Sequence, residues 1–538
     1  MKKKIIFIFL ALIIGMVAAL FYELKLNKLW IFEEEIVEDN LEDEVTSILV
    51  INPDYYNPLV SNNIYIRDLS KLVFEGLTAV SSELKYENCL AKIIEVEDDY
   101  KNYRIVLKND VKFHDGTKLT VDDVIYTIKK IQDLEEKSIY YYNVSNIESI
   151  KKINNHEIKI KLKEVDNFFP AKLDFPILSE LTYSNKDLYK YNEYNGTGKY
   201  KVQSKTADEW HLVYNENYRE KQSGNLTKIN VKMISKLIEG FELLKSGDVE
   251  IVDTSTEVGA YGRSAFLNKR YNTGIYQALV FNLKSPKVAE QNVRQAILLG
   301  INRDSMIEEF MNGYGKSVTL PINPESYLYD ASLPNYAFNP ERAQDILNNI
   351  GYKLKGTIRS KENSELKLDL LINIDKKMAK EKAEFIKNNL AQIGIEINII
   401  EASTDKYKEL FEAKQYDIAI TDWSLSYYPE FLYSFETENQ NNITGFSDEQ
   451  YDYLVYMAKR EISEEKLIEH FSKMQEILNA KLPMAGLYLE TSTLYYTKSI
   501  QGEFLSNMAN VYAGIENLIK FEENKNEWKN NWIIERSK

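Results

Sequence analysis

Residues 103–131, YRIVLKNDVKFHDGTKLTVDDVIYTIKKI, decide how the chain is read. Tyr103, Ile105 and Leu107 alternate with Arg104, Val106 and Lys108, the period-two pattern of a strand with one wet face. Asp115-Gly116 marks a tight turn, because glycine takes a positive φ without a steric penalty. Thr120, with Asp123 three residues on, forms an N-terminal capping box. Val121, Val124, Ile125, Ile128 and Ile131 then lay an apolar stripe at helical spacing. The stretch predicts strand, turn and amphipathic helix, with no catalytic group of its own.

Around this unit the composition sets bounds. A chain of 538 residues suits two or three lobes rather than one core. A formal charge of −15 argues against nucleic acid as a partner. The 38 tyrosines suit a polar-organic ligand, since each combines stacking area with a hydroxyl; an AT-rich coding sequence would give the same bias. Cys89 is the only cysteine, which rules out an internal disulfide and suits an exported protein. His114, His156, His211 and His470 are scattered, with no pair three or four apart. No H-E-x-x-H, cysteine cluster or G-x-S-x-G occurs, so neither an enzyme nor a metal or cofactor site is expected. His114 is read as a surface residue of its turn. NGTGKY at 195–200 fails the phosphate-loop spacing, because position 193 is Glu and Tyr follows the Lys, and it is read as a turn.

At the N-terminus Lys2, Lys3 and Lys4 precede an apolar run over 5–21. As a helix it would span about 25 Å, just enough for a bilayer core. The lysines should stay cytoplasmic, which puts the remainder outside the cell. The run is either an uncleaved anchor, the preferred reading, or a signal peptide cut near Val17-Ala18-Ala19. Eight acidic residues over 33–44 read as a solvated linker.

Along the body, residues 48–76 predict a short strand, an Asn-Pro loop and a helix from Arg67. Residues 156–162 alternate as a strand, and 240–251 read as helix then strand. Residues 276–283 predict another strand and 292–313 two helices. Asn339-Pro340 predicts a capped helix closed by Gly351. Three strands, 366–374, 395–401 and 416–421, alternate with helices, one of them over 377–393, which implies a mostly parallel sheet. Ligands on such sheets lie beyond the strands' carboxyl ends. The segment after the third strand, residues 422–429 (DWSLSYYP), is expected to be an exposed loop with an indole, two phenols and two hydroxyls.

The deciding stretch closely resembles the most recognisable segment of the family-5 extracellular solute-binding proteins, the oligopeptide- and dipeptide-binding class of ABC importers. Leu107, Val111, Lys112, Phe113, Asp115, Gly116, Leu119, Thr120, Asp123 and Val124 fit its pattern, and Val121 replaces the usual Ala. Asn57-Pro58-Leu59, Glu75-Gly76-Leu77, the turn at 195–200, and Arg294, Ala296, Ile301 and Arg303 fit further segments. The resemblance implies an α/β fold of the type II periplasmic-binding kind: two hinged lobes with an extra domain inserted in the first. The implied division is an anchor or signal over 1–22, a linker over 23–46, a first lobe over 47–82, 196–278 and 490–538, an insert over 83–195 and a second lobe over 279–489. It implies capture of a peptide between closing lobes and delivery to ABC permease subunits, by a monomer held at the membrane through its N-terminal helix. The apolar run is followed by no lipobox Cys. In peptide-binding relatives an Asp three residues after the loop Trp neutralises the ligand's ammonium; that position here is Ser426. The departure leaves open a modified peptide, a sugar or a metal chelate, and a membrane-held peptide sensor would have the same sequence. The expected ligand contacts are Asp422, Trp423, Ser426, Tyr427 and Tyr428, with Tyr276 and Asn282 where the chain crosses between lobes, and Tyr488 on the returning strand.

Overall fold

The computed structural model describes residues 45–521, apart from 52, 98, 236–237 and 255–265. The apolar N-terminal run and nearly all of the acidic linker lie outside the described residues. Among those described, no helix is long and apolar enough to cross a membrane.

The deciding stretch folds as read. Asn102–Leu107 is a strand and Val121–Leu134 a helix. The capping box is made: the Thr120 amide donates to Asp123 Oδ2 at 2.9 Å, and Thr120 Oγ1 accepts from the Asp122 amide at 3.3 Å. Such a cap contributes about 1 kcal/mol. His114 is more than a surface residue. It is half-buried, with Nε2 3.0 Å from the Gly198 carbonyl and Nδ1 3.4 Å from the Gly196 amide, so it joins its own turn to the NGTGKY turn. The glycines there are required by close approach. A Cβ on Gly196 would meet the Val73 carbonyl oxygen at 2.0 Å, at the end of the helix Ile64–Val73.

Eleven strands form one mixed sheet. From one edge they run Glu396–Ala402, Lys367–Asn373, Ile418–Ser424, Leu267–Phe281, Met484–Tyr496, Ile251–Thr254, Val45–Ile51, Lys228–Ile234, Glu209–Tyr214 and Tyr200–Lys205, with Gly315–Lys316 added on Met484–Tyr496. Lys367–Asn373 lies parallel to both Glu396–Ala402 and Ile418–Ser424, and Val45–Ile51 parallel to both Lys228–Ile234 and Ile251–Thr254. The sheet therefore has two parallel centres. The two long antiparallel strands, Leu267–Phe281 and Met484–Tyr496, belong to both.

Each centre has its own core. One buried cluster includes Ile48, Val50 and Val231 of the first half together with Ile105, Val124, Ile128 and Ile160, which belong to a separate four-stranded sheet and its helix. The second half packs Leu279, Leu368 and Leu370 against Ala383, Ile386 and Leu390 of the helix Ala379–Ala391 on one face. Its other face holds Tyr276, Val280, Leu432, Phe471 and Met474. Two cores joined by two shared strands make this a two-lobed α/β protein.

The long strand was underestimated from sequence. It begins at Leu267 rather than 276, because its first residues alternate weakly and pair only through long-range contacts with 491–496. The expected exposed loop after 421 is also corrected. The strand continues through Ser424, so Asp422 and Trp423 are strand residues, and Tyr427 and Tyr428 are buried.

Candidate functional site

The register of the two long strands breaks at two places close together, the wider one between Asn272 and Tyr276 and a second between Gln277 and Ala278. Asn272 faces Thr491 and Tyr276 faces Leu489, so Thr273, Gly274 and Ile275 stand opposite Glu490 alone. Gly274 has φ +86°, a region open to glycine, and a Cβ there would meet the Leu425 carbonyl oxygen at 2.9 Å. The parallel strands of both lobes end towards this break: Ser424 pairs with Ile275, and Thr254 with Thr493. Carboxyl strand ends flanking a crossing are where open α/β sheets bind ligands.

On the second lobe's side, two of the expected residues, Asp422 and Tyr488, join a polar cluster. Asp422 pairs in register with Gln277, and Gln277 in turn with Tyr488. Gln277 Nε2 donates to Asp422 Oδ1 at 2.6 Å, while Gln277 Oε1 is buried with no hydrogen-bond partner among the described residues. Lys382, which sequence reasoning missed, donates its Nζ to the Tyr488 hydroxyl at 2.6 Å. Burial lowers the Lys382 pKa, although Asp422 and Glu490 oppose this. Burial raises the Glu490 pKa, Lys382 pulls it back and Asp422 adds to the rise. Lys376, an exposed side chain, lies 3.7 Å from Asp422. The cluster could meet a polar, charge-bearing end of a solute.

Trp423 is half-buried. Its ring lies 5.2 Å from Phe431, and Nε1 donates to Thr421 Oγ1 at 2.8 Å. Ser426 is also half-buried. Tyr427 and Tyr428 face the other lobe's side: the Tyr427 hydroxyl donates to the Ala171 carbonyl, and the Tyr428 ring lies 5.7 Å from Phe168. Lys172 bridges Asp166 at 2.8 Å and Glu430 at 2.7 Å. Burial works against the Lys172 ammonium, but the two carboxylates outweigh it and hold its pKa above the ordinary lysine value.

Two expected contacts do not present a side chain at the break. Tyr276 flanks it but is fully buried, with its hydroxyl on the Thr319 carbonyl at 2.9 Å, so its ring is core. Asn282 follows the opposite end of the long strand. Its amide donates to the Tyr416 and Lys414 carbonyls, because it ties a turn to the start of strand Ile418–Ser424. The expectation that Asn282 marks the crossing is corrected: eight residues of strand, about 26 Å, separate it from Gly274.

On the first lobe's side lies a second cluster that the sequence reading did not collect. Asp253 ends the apolar run of strand Ile251–Thr254 and accepts from the Tyr271 hydroxyl and Ser492 Oγ, both at 2.9 Å. Burial first, and the charge of Asp68 second, push Asp253 up to about 7. Asp68 is also raised by burial, with Arg67 and Lys71 pulling it back. An acid directly after the apolar pair Ile251-Val252 was the signal available in the sequence.

A pocket of about 400 Å³ lined by Gln295, Tyr336, Phe338 and Arg342 lies elsewhere. Gln295 donates to the Ala480 carbonyl, just before the start of strand Met484–Tyr496, whereas Glu490 lies in the middle of that strand, so this pocket is not at the crossing.

Two lobes sharing two strands, with polar clusters on both sides of the crossing, define a hinged solute-binding protein. Residues 85–443, more than half of the chain, match the family described as bacterial extracellular solute-binding proteins, family 5. The chain belongs to that family. It is 24% identical over 473 residues to the oligopeptide-binding protein AppA of Bacillus subtilis, covering 84% of this chain and 87% of AppA. Among solved structures it resembles the periplasmic murein tripeptide-binding protein MppA in its unliganded open form, with a TM-score of 0.79 and 18% identity, covering 90% of this chain and 98% of MppA. It also resembles NikZ from Campylobacter jejuni in complex with Ni(L-His), with a TM-score of 0.61 and 21% identity, covering 89% and 99%.

Proposed function

We propose that the protein captures oligopeptides outside the cytoplasm, between its two lobes, and hands them to the permease of an ABC importer. The observation that carries this reading is the hinge: two shared strands, a glycine bulge, and polar groups from both lobes at the same crossing. Binding and release by such a device need no bond-making, which agrees with family membership. Asp422, Trp423, Ser426 and Tyr488 are proposed as the second lobe's contacts, with Lys382 and Glu490 added. Tyr427 and Tyr428 act at the lobe boundary, where closure changes their surroundings. The N-terminal run would hold the body at the membrane.

A solute that bridges both lobes favours the closed form only by its differential affinity for that form. Native mass spectrometry of the purified full chain tests the reading. A ladder of co-purified peptides of mixed sequence is expected. A single defined non-peptide mass, or a nickel chelate, would overturn it.

A further inference from the structure

The cavity set apart from the crossing is apolar inside. Leu299 lines it as a buried residue, with Ala337, Phe338 and Ile346 beside it. Its volume of about 400 Å³ falls at the lower end of the range for small-molecule sites, room for a body of about one ring rather than an oligopeptide. Phe338 is 39% exposed, so part of an apolar ring is left in water, and covering it is favourable.

The wall is fixed before any ligand arrives. Tyr336 lies at φ +44°, a left-handed backbone that few residues other than glycine adopt. Arg303 donates to the Tyr336 carbonyl at 3.0 Å, the Tyr336 hydroxyl donates to the Asn479 carbonyl at 2.8 Å, and Gln295 Nε2 donates to that hydroxyl at 3.3 Å. Asn335 accepts from Thr319 Oγ1 at 2.9 Å and donates to the Ser317 carbonyl at 3.0 Å. These polar groups are committed to holding the loop. Walls that need no ordering make binding less costly.

The charge beside the cavity is positive and uncompensated. Arg303 is 3% exposed and donates to four carbonyls, those of Val318, Gly486, Asn335 and Tyr336. It has no ion pair among the described residues, and burial pulls its pKa down to about 10, against the pull of Tyr276 and Asp304. Arg342 lines the cavity itself. Among the described residues its guanidinium makes no hydrogen bond or ion pair, although Glu341 and Asp345 stand on the same helix, Pro340–Asn349. A guanidinium with free N–H groups takes a carboxylate through two parallel charge-assisted bonds.

We propose that this cavity is a second binding site, for a small organic carboxylate with an aromatic or branched aliphatic body. The body lies among Leu299, Phe338 and Ile346, and the carboxylate accepts from Arg342. The site is separate from the crossing and holds whichever solute the crossing takes.

Titration calorimetry of the full chain with 3-phenylpropanoate tests this, with 3-phenylpropanamide as its uncharged twin. Wild type should bind the acid with a Kd of about 1 mM or tighter, and the amide at least about fivefold more weakly. Arg342→Gln should bring acid and amide within about twofold of each other, and Phe338→Ala should weaken both by at least about threefold. Both side chains are exposed, so each variant should keep the melting temperature and the peptide retention of wild type. Trp423→Ala reports on the crossing and should leave the affinity for the acid unchanged. No binding of the acid at about 10 mM, equal binding of acid and amide by wild type, or an unchanged preference in Arg342→Gln overturns the site. Loss of acid binding in Trp423→Ala, or its displacement by peptide, places the acid at the crossing and overturns it too.

Discussion

Trp423 illustrates how one side chain can serve packing and recognition together. Its indole N–H is used within its own strand, and its ring leans on Phe431 while remaining half-exposed beside the crossing. Trp423→Ala should weaken peptide binding at least several-fold in calorimetry while the hinge stays intact. Unchanged affinity would remove this residue from the contacts. Asp253 gives a second prediction, in pH. An unfolded Asp loses its proton near pH 4, whereas Asp253 in the fold keeps its proton up to about 7. The native state then binds more protons over that window, so stability falls as pH rises through it and levels off above. Asp68 and Glu490, both raised by burial, act with the same sign. The ligand-free melting temperature should decline from pH 5 to pH 8, and Asp253→Asn should flatten the decline. A melting temperature that climbs across this range would contradict the assignment. Glu75 acts the other way. Burial raises its pKa, but Arg219, bound through both carboxylate oxygens, prevails and lowers it, so its contribution is lost only at acid pH.

Among the elements, the paired long strands set the mechanics. The bulge at 273–275 bends the pair where the cores separate, and Gly274 makes it feasible. Gly274→Ala places a Cβ against the Leu425 carbonyl at a positive φ, which should cost about 1–3 kcal/mol. Chemical denaturation should show that loss; a stability equal to wild type would mean the bulge rearranges freely. A second element controls contact between the lobes. The segment carrying Phe168 and Lys172 is anchored in the first core through Phe169, Leu173 and Phe175, yet Phe168 lies within 6 Å of Tyr428, Tyr433 and Phe471. Phe168→Ala should remove that contact and let the lobes part. Small-angle scattering of the ligand-free variant should give a larger radius of gyration than wild type, and an unchanged radius would show that these rings do not hold the lobes together.

For the molecule as a whole, the first lobe and the four-stranded sheet share one continuous core, whereas the second lobe has separate ones. Under the proposed function, closure would then rotate two bodies about two strands rather than collapse three. Saturating peptide should reduce the radius of gyration of wild type. No change in wild type would argue that the solute binds without drawing the lobes together.

The sequence by itself determined the elements whose signals are local. The capping box at Thr120, the Pro340 helix start, the turn at 195–200 and the alternating strands of the second lobe all follow from neighbours a few residues apart. It also carried the family, through the dense match around Asp115 and Gly116. Only the tertiary structure decided which side chains meet. The strand through Asp422 and Trp423 exists because Leu267–Phe281 pairs with it, and Tyr276 is core because Thr319 comes to lie over it. Asp253 finds Ser492 across 239 positions of chain, and Lys382 finds Tyr488 across 106. Periodicity records which face of an element is buried, but the partner of a buried charge is fixed by how distant elements pack, and that leaves no trace at short range.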